Sequence, residues 1–366
     1  MRPFLSRALH SVRLCTTLVG TVVGAGFISG AELVRFFPAR GFFVPVALSA
    51  LLYFGCFWLL YRIGARCGGF DGALASLFGR AAPLFRIALL AASLVMCGSM
   101  FAGLNAAAQE GFGWDGPFPL AALLAAALLF LFSGRGMKAV YAVNLALVPV
   151  ILAFVASRFV PPPAPLVGES AEAFGTLCLL LAYVCMNAFL AAPVICDAGA
   201  SGGGGGAGCA AAAALIGFSA CAVLSAVARA GEGALSAQMP FLYAVGAHTA
   251  AGSLFSAVCV CGILTTLFSS FYPLQRCAQR GRHAALWRAA LVAGAFLLSL
   301  GGLRPLVRFV YPAVGAAGIA FLAVCAWRSR LTFPSFSDQQ LLRERDERVH
   351  ARCQHAQDNG RRHHQV

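Results

Sequence analysis

The chain has 366 residues, of which 60% are hydrophobic and only 11% charged, and its formal net charge is +14. A soluble domain has about 25% charged residues, so this chain has too few ionic groups to cover a water-facing surface of its size. The composition argues against a soluble enzyme, a nucleic-acid-binding protein and a secreted disulfide scaffold. It predicts a polytopic membrane protein whose main partner is the lipid bilayer.

Ten apolar segments approach the length of about 20 residues that a helix needs to cross the hydrocarbon core. Backbone groups in lipid must be hydrogen-bonded internally, and nothing here alternates as barrel strands do. We therefore predict an all-α polytopic membrane protein with ten transmembrane helices, of which the fourth and ninth are short. The predicted spans are roughly 14–37, 42–62, 83–109, 118–133, 138–158, 174–196, 207–230, 248–273, 285–302 and 304–327.

Basic residues give the predicted orientation. With a cytoplasmic amino terminus, 21 of the 27 Lys and Arg residues fall on the cytoplasmic side, as the positive-inside rule requires. Both termini are then cytoplasmic, in the cell membrane, and the positive charge reflects topology rather than an acidic partner. A cleaved signal peptide is not expected, because the first apolar run is too long and contains Glu32. The six basic residues predicted outside are Arg35, Arg40, Arg158, Arg229, Arg304 and Arg308.

A proline-rich stretch at 161–165 separates two groups of five spans, at about 14–158 and 174–327. Five is an odd number, so the second group must be inverted relative to the first, as in many secondary transporters. We expect one membrane domain over 1–327 and a disordered cytoplasmic tail over 328–366. The glycine run Gly202–Gly206 is expected to be a flexible cytoplasmic tether.

The most informative segment is the glycine-rich stretch of the first span, which runs from Gly20 to Glu32 as GTVVGAGFISGAE. One interpretation is close helix packing through small residues four apart. The other is a helix unwound near Gly24–Gly26, because glycine has poor helix propensity. Unwound carbonyls could face a cation, and the amino end of the outer half-helix an anionic group. The residues expected to line a substrate site there are Gly24, Ala25, Gly26 and Phe27.

The same stretch resembles the first-helix signature of the YkvI-type membrane proteins, poorly characterised relatives of the amino acid–polyamine–organocation transporters, which share the LeuT fold. Through the span pattern the resemblance covers about 12–327. It implies a five-plus-five inverted repeat in which helices one and six are broken.

Tyr183 and Asn187 stand one turn apart in the sixth span, which the resemblance implies is the second broken helix. An asparagine at mid-membrane needs a partner. Either Asn187 bonds a neighbouring helix, or both residues line the substrate cavity.

The eighth span carries a small residue followed three positions later by two hydroxyls, which resembles the sodium-ligand pattern of helix eight in sodium-coupled LeuT-fold carriers. Alternatives are that these hydroxyls bond their own helix turn, or that Ser269 and Ser270 provide the ligands in a second register. The ligands that the resemblance implies are the carbonyls of Gly20, Val23 and Gly262 and the hydroxyls of Thr265 and Thr266.

Glu32 is a charged residue in the outer half of the first predicted span, and charged groups within the membrane are functional by default. It could be a gate, a proton site or a partner of Arg35 or Arg308. Proton coupling through Glu32 is the alternative to sodium coupling. Lys138, at the inner start of span five, is expected to snorkel to the interface.

Together these features predict a secondary active transporter, a symporter that moves a small polar solute by alternating access with Na⁺ or H⁺ as coupling ion. An amino acid is the first candidate solute. The alternative is a receptor or sensor that binds solute on the same fold without transport. No catalytic motif is found in the spans, so no enzymatic activity, nucleic-acid partner, cofactor or metal site beyond the sodium site is expected.

Overall fold

The computed structural model of the chain describes residues 2–38, 41–113, 119–159, 161, 173–202, 205–237, 239–246, 249–279, 281–301 and 311–332. Every regular element within these ranges is helical, which confirms the all-α prediction. In chain order the helices are α1 Arg2–Val22, α2 Ala25–Ile28, α3 Ala31–Phe36, α4 Phe43–Cys67, α5 Phe70–Phe78, α6 Ala82–Phe112, α7 Leu120–Ser133, α8 Met137–Ser157, α9 Ala173–Ala200, α10 Gly205–Ala230, α11 Glu232–Ser236, α12 Pro240–Val245, α13 Ala250–Gln279, α14 Ala284–Ser299 and α15 Tyr311–Thr332.

Seven helical segments in the described part of the chain are long and apolar enough to cross a membrane. They correspond to α4, α5 with α6, α8, α9, α10, α13 and α15, while α7 and α14 are shorter apolar helices. Large apolar side chains on their outer faces are exposed, for example Leu51, Leu131 and Phe174 at 69%, 67% and 81%. Such a surface suits lipid and not water, so the chain is a multi-pass membrane protein.

Helix α9 lies at the centre of the bundle, where it packs against α4 and α15. Glycines make these contacts close: a Cβ added to Gly64 or Gly318 would overlap the α9 backbone at Cys196 or Cys185. Small residues that let helix backbones approach are a common device of membrane helix packing. The second large group of contacts joins α13 to α6 and α8, and α1 packs against α10.

The expected break in helix six is wrong: α9 runs continuously from Ala173 to Ala200. No glycine occurs between Gly175 and Gly199, so no position there has the low helix propensity of the first span. Pro193 is accommodated inside the helix, as proline often is in membrane helices.

Two predicted boundaries also differ. Helix α15 continues to Thr332, past the expected end of the membrane domain at 327, and residues 333–366 of the expected tail lie outside the described residues. Of the predicted glycine tether, Gly205 and Gly206 form the first turn of α10, where Gly205 packs against the ring of Tyr61. This contact orders a segment that composition alone marks as flexible.

Candidate functional site

The first helix is interrupted where its glycine-rich stretch predicts. Helix α1 ends at Val22, and the amide of Gly24 turns back to donate to the Val22 carbonyl at 2.9 Å. The single turn α2 follows, and Gly30 then adopts a left-handed conformation with φ of 82° before α3 begins. Glycine adopts this conformation without the steric strain that a side chain would cause. The interruption therefore leaves irregular backbone in the protein interior, where it meets α13, α6 and α9.

The five residues proposed for a cation site come together from α1 and α13. The Thr266 hydroxyl donates to the Gly20 carbonyl at 2.9 Å, and a Cβ added to Gly24 would lie only 2.7 Å from the Thr266 oxygen. The Val23 carbonyl oxygen faces Gly262, at 3.2 Å from where a Cβ would stand. The Thr265 hydroxyl instead donates to the Gly262 carbonyl of its own helix at 2.8 Å, which is the alternative that the sequence analysis left open for this pair.

Every oxygen in this group is neutral, and the two threonine side chains are buried, at 0% and 3% exposure. We name these five residues, Gly20, Val23, Gly262, Thr265 and Thr266, the helix-one/α13 oxygen cluster. Neutral oxygens in a small buried space suit a hard cation of low charge. The geometry brings these residues together around the interruption.

Glu32 lies in the first turn of α3 and is 5% exposed. One carboxylate oxygen accepts a hydrogen bond from the Tyr183 hydroxyl at 3.0 Å, and the other lies against Gly26, where a Cβ would overlap it. Tyr183 stacks on Phe36 with ring centroids 4.8 Å apart. Within the described ranges, no basic side chain forms a salt bridge with Glu32.

The residues proposed for substrate binding separate into two groups. Gly26 and Tyr183 meet at Glu32, whereas Gly24 faces Thr266 and so belongs with the oxygen cluster. Asn187 is buried and donates to the Tyr183 carbonyl of its own helix at 3.0 Å. Phe27 is buried at 1% exposure. The Ala25 side chain and the Arg308 alternative for Glu32 lie outside what the structure describes.

Asn144 of α8 is a residue that the sequence analysis missed. It is fully buried, it packs against Gly20, and its side-chain amide donates to Ser269 of α13 at 3.2 Å. Lys138, the polar residue of span five that the sequence analysis considered, is exposed at the start of α8. The available signal was a lone asparagine in the middle of an apolar span.

A charged network at the predicted cytoplasmic end was also missed. Asp71 of α5 pairs with Arg86 at 2.8 Å and with Arg276 at 2.7 Å. Arg276 also pairs with Asp197 of α9, which accepts hydrogen bonds from the Tyr272 hydroxyl at 2.7 Å and from the Phe70 amide at 3.0 Å. These contacts, which we name the inner charge network, tie α5, α6, α9 and α13 together. The available signal was that Asp71 and Asp197 are acidic residues at predicted cytoplasmic span ends, where most charged residues are basic.

The described residues form an apolar helical bundle whose first helix is interrupted in the interior. The chain is 24% identical over 339 residues to an uncharacterised membrane protein of Bacillus subtilis (strain 168), YkvI, covering 85% of this chain and 93% of that protein. This confirms the resemblance inferred from the first span. No protein-family model matches the chain.

Among solved structures, the chain resembles Mhp1, a nucleobase-cation-symport-1 family transporter in a closed conformation with bromovinylhydantoin bound. The TM-score is 0.51 at 12% identity, over 88% of this chain and 78% of that one. A manganese transporter of Eremococcus coleocola matches with a TM-score of 0.47 at 13% identity, over 93% and 91% of the two chains. The likeness to Mhp1 concerns the fold.

Proposed function

We propose that the chain is a cation-coupled secondary active transporter that moves a small polar solute by alternating access, with an amino acid as the first candidate solute. The observation that carries this proposal is the contact between the interrupted first helix and α13. The Thr266 hydroxyl donates to the Gly20 carbonyl at 2.9 Å, and the Val23 carbonyl faces Gly262. Irregular backbone in a membrane protein is tolerated where it lines a cavity or binding site.

The proposed architecture is a single membrane domain of ten spans in two inverted repeats, with both termini in the cytoplasm. It is supported by the pattern of helix packing. If each span corresponds to the one five positions later, the contact of spans one and seven should have a counterpart between spans six and two. Spans one and seven are α1 and α10, and spans six and two are α9 and α4. Both pairs form extensive contacts. Likewise the contact of spans one and five, α1 with α8, has its counterpart in the contact of spans six and ten, α9 with α15.

The oxygen cluster is the proposed site of the coupling ion, for which sodium is the first candidate. Glu32 lies on the other side of the interruption, against Gly26 and Tyr183. Glu32 has no salt bridge to a basic side chain in the described part of the chain, and an unpaired buried carboxylate is costly in a membrane, so Glu32 is the proposed proton site if protons are the coupling ion. The solute is proposed to bind between Gly26 and Tyr183, beside Asn187.

Thermal unfolding of the detergent-purified protein in NaCl and in KCl, at equal ionic strength, tests the ion site. An ion that binds only the folded protein stabilises it by about 2.7 kcal/mol at a hundredfold excess over Kd. Sodium should raise the midpoint of the wild type, and Thr266→Val should abolish this increase. Thr16→Val is the matched control, because the Thr16 hydroxyl bonds only its own helix turn at Val12 and Arg13. Equal midpoints in both salts would reject sodium coupling.

Uptake into proteoliposomes tests transport itself. A mixture of radiolabelled amino acids is added outside, with an inward gradient of sodium or of potassium at matched osmolarity. Accumulation that requires the sodium gradient supports symport. A protein that binds labelled solute in detergent but gives no uptake under either gradient, nor under an inward proton gradient, is a receptor on this fold, and the transport proposal fails.

A further inference from the structure

Asn144 holds an amide oxygen that has no hydrogen-bond partner in the described part of the chain. The side chain is fully buried, at 0% exposure. Its Nδ2 group donates to the Val140 carbonyl at 2.7 Å and to the Ser269 hydroxyl at 3.2 Å. A backbone carbonyl can only accept, so the Val140 contact fixes which end of the amide is the donor. The Oδ1 atom is therefore the end directed away from Val140.

The direction of Oδ1 is given by Gly20. A Cβ built on Gly20 would overlap the Asn144 oxygen itself, so this oxygen lies directly against the Cα atom of Gly20. The carbonyl of the same glycine accepts the hydrogen bond of Thr266. The orphaned oxygen thus adjoins the helix-one/α13 oxygen cluster from a third helix, α8, which packs against both α1 and α13.

A buried amide oxygen without a donor is unfavourable, and no donor faces this one in the described residues. Carboxamide oxygens are ordinary ligands of hard cations. The Nδ2 contacts alone account for how Asn144 braces α8 against α13, but they leave Oδ1 unexplained. A cation beside Gly20 would satisfy it.

We propose that Asn144 Oδ1 is a ligand of the coupling cation, so that the site is built from three helices rather than two. This inference rests on the proposed cation-coupled function and adds a residue to its site. Gly20 then has two roles: its carbonyl is a proposed ligand, and its lack of a side chain leaves room for Asn144. Ser269 is a positioning residue, because its hydroxyl accepts from the amide and holds the oxygen toward α1.

The test measures the midpoint of thermal unfolding of the full-length, detergent-purified protein against NaCl concentration, with KCl keeping the ionic strength constant. Asn144→Leu should fold and lose the sodium-dependent increase. Asn144→Asp should keep it and reach half of the effect at a sodium concentration at least tenfold lower, because the oxygen then carries charge.

Gln275→Leu is the matched control. Gln275 is a second buried amide whose oxygen lacks a partner in the described ranges. It lies nine residues after Thr266 on α13, about 13.5 Å along the helix axis, and it should retain the wild-type response.

The outcomes separate the two proposals. A wild type that responds to sodium, with Asn144→Leu responding equally, overturns the role of Asn144 and leaves the cation site in place. If Asn144→Leu fails to fold, Asn144→Asp decides: half-effect at the wild-type concentration or higher overturns the inference. A wild type with no sodium response overturns both sodium coupling and the ligand role of Asn144.

Discussion

Gly20 and Gly26 each leave room for a polar group of another residue. The Asn144 oxygen occupies the space beside Gly20, and the Glu32 carboxylate occupies the space beside Gly26. The sequence analysis placed Gly26 in the expected break of the first helix, through its helix propensity, and named Gly20 for its carbonyl. It could not show their second role, because the groups that fill these spaces come from a different span or from beyond the turn. Which side chain meets which glycine is decided by packing.

Gly26→Ala should therefore destabilise the protein. The added methyl group would overlap the Glu32 side chain, and overpacking of this kind costs about 1–3 kcal/mol. The midpoint of thermal unfolding measures the loss. Gly55→Ala in α4 is the control, because nothing lies within 4 Å of a Cβ at that position. A Gly26→Ala protein as stable as the Gly55→Ala protein would show that Glu32 moves away freely.

The side chains of Tyr183 and Glu32 should be energetically coupled through their hydrogen bond. Tyr183→Phe removes a donor from a buried carboxylate and should cost about 1–3 kcal/mol. In a Glu32→Gln background the same change should cost less, since a neutral amide needs the donor less. A double-mutant cycle on unfolding free energies measures the coupling, expected within about 0.5–3 kcal/mol. Tyr243→Phe, an exposed tyrosine, is the control, and strict additivity of the cycle would contradict a direct bond.

At the scale of elements, the interruption of helix one could be predicted and the continuity of α9 could not. The first span has four glycines from Gly20 to Gly30, both included. The expected break in span six, by contrast, depended on the family resemblance alone. In α9, local propensity and tight packing against α4 and α15 favour an unbroken helix. The inner charge network also escaped prediction, because Asp71 and Asp197 are far apart in sequence and the helix ends that bring them together are fixed by the bundle.

Helix α15 is held to the bundle by an aromatic cluster around Phe321. Its ring stacks on Phe78 with centroids 5.1 Å apart and contacts Phe189 of α9 at 5.0 Å. Phe321→Ala should destabilise the protein by about 3–5 kcal/mol, because a large buried ring leaves a cavity. Thermal unfolding again provides the measurement. Phe174→Ala, which trims an outward ring that is 81% exposed, should change stability much less. Equal losses of stability in Phe321→Ala and Phe174→Ala would mean that the aromatic cluster does not contribute to the cooperative core.

At the scale of the whole molecule, contacts close the bundle at both ends. The inner charge network joins four helices at the predicted cytoplasmic end. At the opposite end of the interruption, the Phe241 amide of α12 donates to the Ser29 carbonyl at 2.8 Å. In the proposed alternating-access cycle one of these closures must open while the other holds, so weakening one should shift the population toward the state open on that side.

Arg276→Ala should favour the state that is open at the inner end. It removes the cation shared by Asp71 and Asp197 and leaves their charges to repel. The measurement is the rate of thiol labelling at Cys196, which is 1% exposed, in a protein whose other cysteines are replaced. Labelling should become at least severalfold faster than in the parent. Arg62→Ala, which removes an exposed arginine over the Trp58 ring, should leave the rate unchanged. An unchanged rate in Arg276→Ala would mean that the network does not gate access.

The hydrogen bond between Thr266 and Gly20 has a consequence for loading. Both oxygens are proposed ion ligands, and the hydrogen bond between them is 2.9 Å long. If ion binding turns the Thr266 hydroxyl away from Gly20, it forfeits this bond, whose net worth is about 0.5–1.5 kcal/mol, and the ion affinity falls by up to roughly tenfold. In the proposed transport cycle, the same bond would pair the two groups during the return of the empty carrier. Weaker ion binding and an easier empty return would then follow from one internal hydrogen bond.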